Sequence, residues 1–274
     1  MTIPKRGLDA LPSTGLAASR VSNKFGRIVL AFILRDMRTR FGRSYVSYLL
    51  SIGWPISHLL VMFGGYVVTH KLAPIGDDPS MFAFTGLVPY ILFLYPARFL
   101  AFAVIQNKPL LNFPIVMPIQ LILARVILEA LSAVVVFFIF YGIIGLFGTT
   151  SELPNMYLAS SAIAATLYLS IGFGVLGVVL CAYQPFVGVM SIVIIALIMY
   201  LLSGAIVPIT FVSGDATDVL VYNPLYNVVG VLRSAYYDSY DQSSYSIYYV
   251  FLIGSVFLGL GLLGERLVRA RLVQ

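Results

Sequence analysis

The chain has 274 residues, of which 60% are hydrophobic and only 10% are charged, and its mean hydropathy is +0.96. Because about a quarter of the residues of a soluble domain are charged, this composition excludes a soluble fold and indicates an integral membrane protein. The formal net charge is +6, but nine of the 17 Lys and Arg residues precede Tyr45. The basic character therefore belongs to a membrane-flanking segment and does not indicate nucleic-acid binding. The single cysteine, Cys181, excludes an intramolecular disulfide.

The first 44 residues predict a tail followed by one amphipathic helix. Residues 1–23 are polar, contain Gly, Ser and Pro, and predict a disordered cytosolic tail. Over 24–44, apolar side chains recur at steps of three and four residues, while basic side chains fall mostly on the other side. This pattern is typical of a helix that lies in the headgroup plane. The alternative is a solvated basic helix that only sets the membrane topology.

Six apolar stretches predict an all-α, polytopic membrane protein with six transmembrane helices. They cover 45–68, 81–105, 119–147, 156–181, 188–207 and 246–263, and a second cytosolic tail is predicted over 264–274. An even number of spans puts both termini on one side of the membrane. Twelve of the basic residues lie in 1–44 and 265–274, so both termini are predicted to be cytosolic.

The longest predicted external loop covers 208–245. Its apolar part, 219–232, is too short to span and predicts one or two short re-entrant or interfacial helices before the sixth span. Tyr236, Tyr237 and Tyr240 offer stacking faces and hydroxyl groups suited to a sugar chain or a periplasmic protein. The segment is therefore predicted to form an exit-side lid, and a passive connection packed on the helix ends is the alternative.

The chain contains no signature of catalysis. It has no GxxxxGK[ST] phosphate loop, no HExxH and no GxSxG, and its two histidines, His58 and His70, have no acidic or cysteine partner at ligand spacing. The expectation is a protein that is not an enzyme and holds no metal or cofactor of its own.

Charged residues inside the predicted spans form the first candidate site. Arg98 of the second span and Arg125 and Glu129 of the third lie at similar predicted depth, and Arg125 and Glu129 are four residues apart on one helix face. The prediction is an ion-pair cluster that joins the two helices, because an unpaired guanidinium in lipid is costly. Exposure on a polar conduit is the alternative.

Aromatic residues form the second candidate site. Together with Arg98 they are predicted to line a conduit, because flat rings with hydroxyl tips stack well on sugars: Tyr45, Tyr48, Tyr90, Phe93, Tyr95 and Phe99. The alternative is that these rings face lipid or neighbouring helices.

Four segments carry a resemblance to a known family. They are RTRFGRSYVSYL at 38–49, TGLVPYILF at 85–93, LLNFPIVMPIQLILARVILE at 110–129, and NPL at 223–225 followed by Arg233. In these segments the chain resembles the permease subunits of ABC exporters for capsular polysaccharide, and the related exporters of O-antigen and teichoic acid.

The resemblance implies one half of an ATP-driven exporter in the inner membrane of a Gram-negative cell. Two copies would form the conduit, and two separate ATPase subunits would hold ATP and Mg and dock on the cytosolic face. The docking residues implied are Arg35, Arg38, Arg40, Phe113, Pro114, Met117 and Pro118. The cargo would be a lipid-linked, anionic glycan, passed on to periplasmic and outer-membrane partners. The alternative cargoes are O-antigen, teichoic acid or a small drug; a secondary carrier or an intramembrane enzyme fits the sequence less well, because no internal repeat and no nucleophile are evident.

Overall fold

The computed structural model describes residues 14–41, 45–69, 76, 78–146, 155–206 and 219–273, with side chains for 24–38, 52–66, 68, 76, 78–146, 155–206 and 219–269. This part of the chain is helical and contains no β-strand. Its α-helices are α1 (Thr14–Phe41), α2 (Tyr45–Thr69), α3 (Pro79–Ala101), α4 (Pro118–Leu146), α5 (Met156–Tyr183), α6 (Pro185–Leu201), α7 (Pro224–Ser234) and α8 (Ile247–Val273). Two 3-10 helices, Ile105–Asn112 and Gln242–Ser244, precede α4 and α8.

The helix starts follow local signals in the sequence. The side chain of Asp78 accepts a hydrogen bond from Ser80 N at 2.8 Å, and Pro79 then occupies the first turn of α3. Asn155 caps α5 in the same way, and Asn223 and Pro224 begin α7. A polar cap followed by proline fits a helix start, since the proline needs no hydrogen-bonded N–H there.

Three helix boundaries differ from the sequence prediction. Helix α1 begins at Thr14 rather than at 24, within the predicted tail, where Ala17 and Ala18 are strong helix formers. Helix α8 continues to Val273, through most of the predicted second tail, and Glu265 and Arg269 form an i,i+4 ion pair there at 3.8 Å. Helix α3 ends at Ala101, so the last residues of the predicted second span belong to a turn and a 3-10 helix.

Four helical segments are long and apolar enough to cross a membrane by length and composition: Pro79–Asn112, Pro118–Leu146, Met156–Tyr183 and Gln242–Arg269. Helix α6 is apolar but has only 17 residues. The predicted short helix before the last span is present as α7, and its residues 224–233 are all buried. Residues 207–218, which include the start of the predicted exit loop, lie outside the described residues.

Helix α3 lies at the centre of the protein. All of its side chains from Met81 to Ala97 are buried, and it packs against α2, α4, α5, α6 and α7. The large apolar cluster around it extends over α2 and α4 to α7. A second cluster, built from α1, the first 3-10 helix, the start of α4 and the ends of α5 and α8, lies at the α1 end of the molecule.

Helices α5 and α8 pack along each other with glycine at the closest points. A Cβ atom on Gly172 of α5 would lie 2.3 Å from the carbonyl oxygen of Gly254 of α8. A Cβ atom on Gly261 of α8 would lie 2.6 Å from Leu176 N. Small residues let helix backbones approach closely, which is the main source of helix association in lipid. The α5–α8 pair is therefore a close-packed unit of the fold.

Candidate functional site

A cleft lies between α1 and the segment that leads into α4, beside the residues predicted for docking. The cleft has a volume of about 640 Å³, and we call it the α1 cleft; it is lined by Lys24, Phe25, Arg27, Ile28, Ala31, Ile115, Met117 and Gln120. Most of its lining side chains are apolar, and two of them, Lys24 and Arg27, are basic. Exposed apolar surfaces flanked by charged side chains are typical of protein interaction sites.

The segment 113–117 presents a row of apolar side chains beside this cleft. Phe113 is 58% exposed, Ile115 67% and Met117 47%. The segment is held in shape by its own hydrogen bonds, since Val116 N donates to Phe113 O at 2.9 Å and Met117 N donates to the Gln120 side chain at 2.9 Å. It therefore displays apolar side chains on an ordered backbone. Pro114 is exposed with them, whereas Pro118 is buried at the start of α4.

The three arginines predicted for docking lie in different surroundings. Arg38 is exposed on α1. Arg35 is partly buried and turns inward, where its Nη2 atom donates to Asp36 Oδ1 at 3.1 Å and also to Asn107 Oδ1 of the first 3-10 helix. The side chain of Arg40 lies outside the described residues.

The predicted cluster of intramembrane charges is present in part, on α4. Arg125 Nε lies 3.0 Å from Glu129 Oε1, and both side chains are buried in α4. The second acid near Arg125 is Asp36 of α1, with Oδ2 3.4 Å from Arg125 Nη1. Within the described part of the chain, the ion pairs therefore join α4 to α1 rather than to α3.

Arg98, which the sequence prediction placed in this cluster, forms no ion pair with the described part of the chain. The two arginines lie near one aromatic ring: Arg98 Cζ is 5.6 Å and Arg125 Cζ 5.8 Å from the centroid of Phe99. A guanidinium group against an aromatic face is favourable, so Phe99 serves as a shared neutral neighbour for the two cations.

Sequence reasoning missed Asp36. A signal was present, because Asp36 is an acid on a basic helix and lies seven residues after Val29 on the apolar stripe. The structure buries it to 6% exposure. Burial of a carboxylate is costly unless the group is paired, so an acid on an apolar stripe indicates a partner elsewhere in the fold.

The predicted conduit aromatics are mostly core residues of this subunit. Phe93 is fully buried and stacks on Phe173 of α5 at 5.4 Å between ring centroids. Tyr90 is buried and stacks on Tyr200 of α6 at 4.3 Å. Both side chains are therefore packed inside this subunit. The side chains of Tyr45 and Tyr48 lie outside the described residues.

Tyr95 and Phe99 are closer to an opening of the subunit. They line a small cleft between α2, α3 and α4, together with Glu129 and Ser132. The Tyr95 hydroxyl is 3.1 Å from His58 Nδ1 of α2, so the hydroxyl group is held by a second helix. Of the predicted conduit residues with described side chains, these two lie beside a cleft that also holds polar groups.

Two of the predicted exit-loop tyrosines, Tyr237 and Tyr240, lie near a buried arginine at the α7 end of the molecule. Arg233 is 1% exposed and donates to Gly204 O at 2.7 Å, to Ala205 O at 2.9 Å and to the Tyr240 hydroxyl at 3.1 Å. Its Cζ atom lies 3.8 Å from the centroid of the Phe82 ring. Burial lowers the pKa of the Arg233 guanidinium, and the neighbouring Tyr240 opposes that shift.

The same packing removes most of the tyrosine surface predicted for sugar stacking. Tyr240 is buried. The Tyr237 ring packs against Gly76 so closely that a Cβ atom added to Gly76 would lie 2.6 Å from the ring. Tyr236 is partly buried and lines an apolar groove between α4 and α5. The arrangement ties the loop before α8 to the ends of α3 and α6. The sequence pointed to Arg233 only through the resemblance and did not predict these contacts.

A first prediction concerns the buried pair on α4. We expect Glu129→Gln to lower the free energy of unfolding by about 1–3 kcal/mol, because it removes one counter-charge of the buried Arg125. The measurement is thermal unfolding of the purified protein in detergent. Ser132→Ala, one turn further along α4, is the control and should change little. Normal stability of Glu129→Gln with altered export would contradict a structural role and favour a conduit role.

No protein-family model matches the chain. It is similar to two curated sequences of the Polysialic acid transport protein KpsM of Escherichia coli. Each is 31% identical over 244 residues, which cover 87% of this chain and 93% of the relative. The similarity thus includes nearly the whole of both chains. The chain belongs to the family of permease subunits of capsular-polysaccharide ABC exporters.

Proposed function

We propose that this protein is the membrane-spanning half of an ATP-driven exporter that moves a lipid-linked, anionic capsular polysaccharide out of the cytosol. The observation that carries the proposal is the similarity, over nearly the whole chain, to the Polysialic acid transport protein KpsM of Escherichia coli. A long acidic glycan is therefore the class of cargo that fits best. The same kind of subunit serving O-antigen, teichoic acid or a small drug is the second candidate.

Six spans and two cytosolic termini are part of the proposal. Helix α2 has 25 residues of apolar sequence, and α6 has 17 residues followed by a turn, so both can be added to the four longer candidates. Six spans leave both termini on one side. The nine basic residues before Tyr45 and three after Glu265 favour the cytosolic side of a bacterial inner membrane.

ATP and Mg are proposed to bind to separate partner subunits, which dock on the α1 cleft and the segment 113–117. The support is chemical. Exposed Phe113, Ile115 and Met117 would be unfavourable in water. The basic side chains of Lys24 and Arg27 in the cleft favour an acidic partner surface. An amphipathic segment of an ATPase, acidic at its edge and apolar on its face, fits this surface.

A second copy of the chain is proposed to complete the conduit. Helix α2 exposes Trp54 at 66%, Val61 at 74% and Val68 at 75%, and these residues recur at seven-residue spacing on one face. That stripe points away from the core of the subunit. Across the external face, we propose contact with periplasmic and outer-membrane export proteins, in keeping with the family.

The proposal predicts that Phe113→Asp and Met117→Asp separate the permease from its ATPase. An aspartate in the centre of an apolar interface loses the buried contact and adds an unpaired charge, which typically costs about 2 kcal/mol or more of binding. The measurement is the amount of ATPase that copurifies with tagged permease, together with glycan export in cells. At least about tenfold less ATPase is expected to copurify.

Tyr157→Asp is the matched control. Tyr157 is 76% exposed at the first turn of α5, at the other end of the molecule, and its replacement should leave the ATPase bound. If all three variants copurify with the ATPase and export glycan as the unaltered protein does, the docking surface lies elsewhere. If the unaltered protein copurifies with no ATPase and exports no glycan, the proposed function itself fails.

A further inference from the structure

Asp36 is buried on a helix whose other described ionisable side chains are basic. It is 6% exposed, while its neighbours on α1 include the partly buried Arg35 and the exposed Arg38. Val29, Phe32 and Asp36 are the buried positions and follow one another at steps of three and four residues. Asp36 therefore extends the apolar stripe with which α1 packs on the body of the protein.

The carboxylate of Asp36 lies between two elements that are distant in sequence. Its Oδ2 atom is 3.4 Å from Arg125 of α4, and its Oδ1 atom accepts from Arg35 at 3.1 Å. Arg35 in turn donates to Asn107 of the first 3-10 helix, and Asn107 Nδ2 donates to Ala103 O at 2.8 Å. One buried acid thus has a direct contact with α4 and an indirect contact with the segment that leads to 113–117.

The geometry makes this contact sensitive to rotation of α1. One residue corresponds to about 100° around a helix, so a rotation of α1 by one residue would carry Asp36 off the buried stripe. The apolar neighbours Leu30, Leu34 and Met37 are all exposed on other faces of α1. Apolar packing of Val29 and Phe32 tolerates sliding, whereas a buried ion pair holds only in a narrow range of positions.

We propose that Asp36 is a positioning residue that fixes α1 against α4 and the 3-10 helix Ile105–Asn112, so that displacement of α1 by the ATPase reaches the transmembrane helices. This inference rests on the proposed function. Asp36 itself need not touch the ATPase, since the α1 cleft and the segment 113–117 form the contact. Its role is to keep the two parts of that docking surface and α4 in one arrangement.

The test is Asp36→Asn in the full permease–ATPase complex. The asparagine keeps the size and loses the charge. We expect the ATPase to copurify within about twofold of the unaltered complex and ATP hydrolysis to persist, while glycan export falls at least about tenfold. Asp36→Glu, which keeps the carboxylate, should restore most of the export. Glu265→Gln, which removes another buried and paired carboxylate on α8, is the matched control and should export normally.

A distance measurement reports on positioning without any ATPase. Spin labels at Leu30→Cys and Lys108→Cys, both exposed, are introduced with Cys181→Ala, which removes the single native cysteine. The distribution of label distances should be narrow in this background and broader or shifted when Asp36→Asn is added. If Asp36→Asn does not accumulate, Arg35→Gln removes the contacts of Arg35 with Asp36 and Asn107, leaves the Asp36–Arg125 pair in place, and should give the same broadening and the same loss of export.

Two results would overturn the inference that Asp36 positions α1. Unchanged export and unchanged distances show that Asp36 does not position α1. Loss of the ATPase from Asp36→Asn with unchanged distances makes Asp36 a docking residue rather than a positioning residue. If no ATPase copurifies even with the unaltered chain, the proposed function fails, while the distance measurement still decides whether Asp36 positions α1.

Discussion

Replacing Arg233 with methionine is expected to give the largest loss of assembled protein of any single change at the α7 end of the molecule. The methionine fills much of the same volume but leaves Gly204 O, Ala205 O and the Tyr240 hydroxyl without their donor. Buried polar atoms that lose a partner cost about 1–3 kcal/mol each, so a loss of about 3 kcal/mol in the free energy of unfolding is expected. The measurement is thermal unfolding in detergent and the yield of monodisperse protein.

Two further variants decide why Arg233 matters. Arg233→Lys keeps the charge, but its three N–H groups belong to one nitrogen and cannot reproduce the contacts that arginine makes from two nitrogens, so its stability should lie between those of the unaltered protein and Arg233→Met. Arg266→Met removes an exposed arginine of α8 and should change stability little. Burial of a charge is itself costly, so Arg233→Met could relieve a penalty. A Met variant more stable than the unaltered protein would show that this penalty outweighs the hydrogen bonds.

The helix positions were predictable where short sequence signals mark them. Predicted starts at 119 and 156 lie within one residue of Pro118 and Met156, because the apolar stretches begin directly after Pro118 and Asn155. The ends of α1 and α8 were not predictable in this way. Their outer turns are polar and predict tails, although a helix can continue through polar sequence, as α8 does with the i,i+4 ion pair between Glu265 and Arg269.

Sequence could not tell which apolar helices face protein and which face the surroundings. Helices α3 and α8 are both apolar around most of their circumference, yet α3 is largely buried and α8 largely exposed. In a bilayer, lipid and protein interior favour the same side chains, so hydropathy does not separate the two. This is why Phe93, a plausible sugar-stacking residue by type, turns out to pack in the core.

The polar contacts also differ in whether the sequence could predict them. The spacing of Arg125 and Glu129 follows from one helix and could be predicted. The contact of Arg125 with Asp36 joins residues 89 positions apart and depends on how α1 lies against α4. Likewise, Arg233 reaches carbonyls 28 and 29 residues earlier in the chain. Tertiary contacts of this kind need the fold, and a single sequence supplies only the reason to look for a partner.

The close packing of α5 and α8 gives the second large expected effect, from Gly172→Ala. The added Cβ atom would lie 2.3 Å from the Gly254 carbonyl oxygen, and because that atom belongs to the backbone, one helix must move. Overpacking of this kind costs about 1–3 kcal/mol, and more where backbone has to shift. The measurement is the thermal midpoint in detergent, with glycan export in cells as the functional readout.

Gly142→Ala on α4 is the matched control for this change. Nothing lies within 4 Å of the Cβ position there, so the alanine should be accommodated and should stabilise the helix by up to about 1 kcal/mol through its higher helix propensity. The two substitutions are chemically identical and are expected to act in opposite directions. Equal thermal midpoints for Gly172→Ala and Gly142→Ala would mean that α5 and α8 separate easily, and the pair would not be the rigid unit that its backbone contacts indicate.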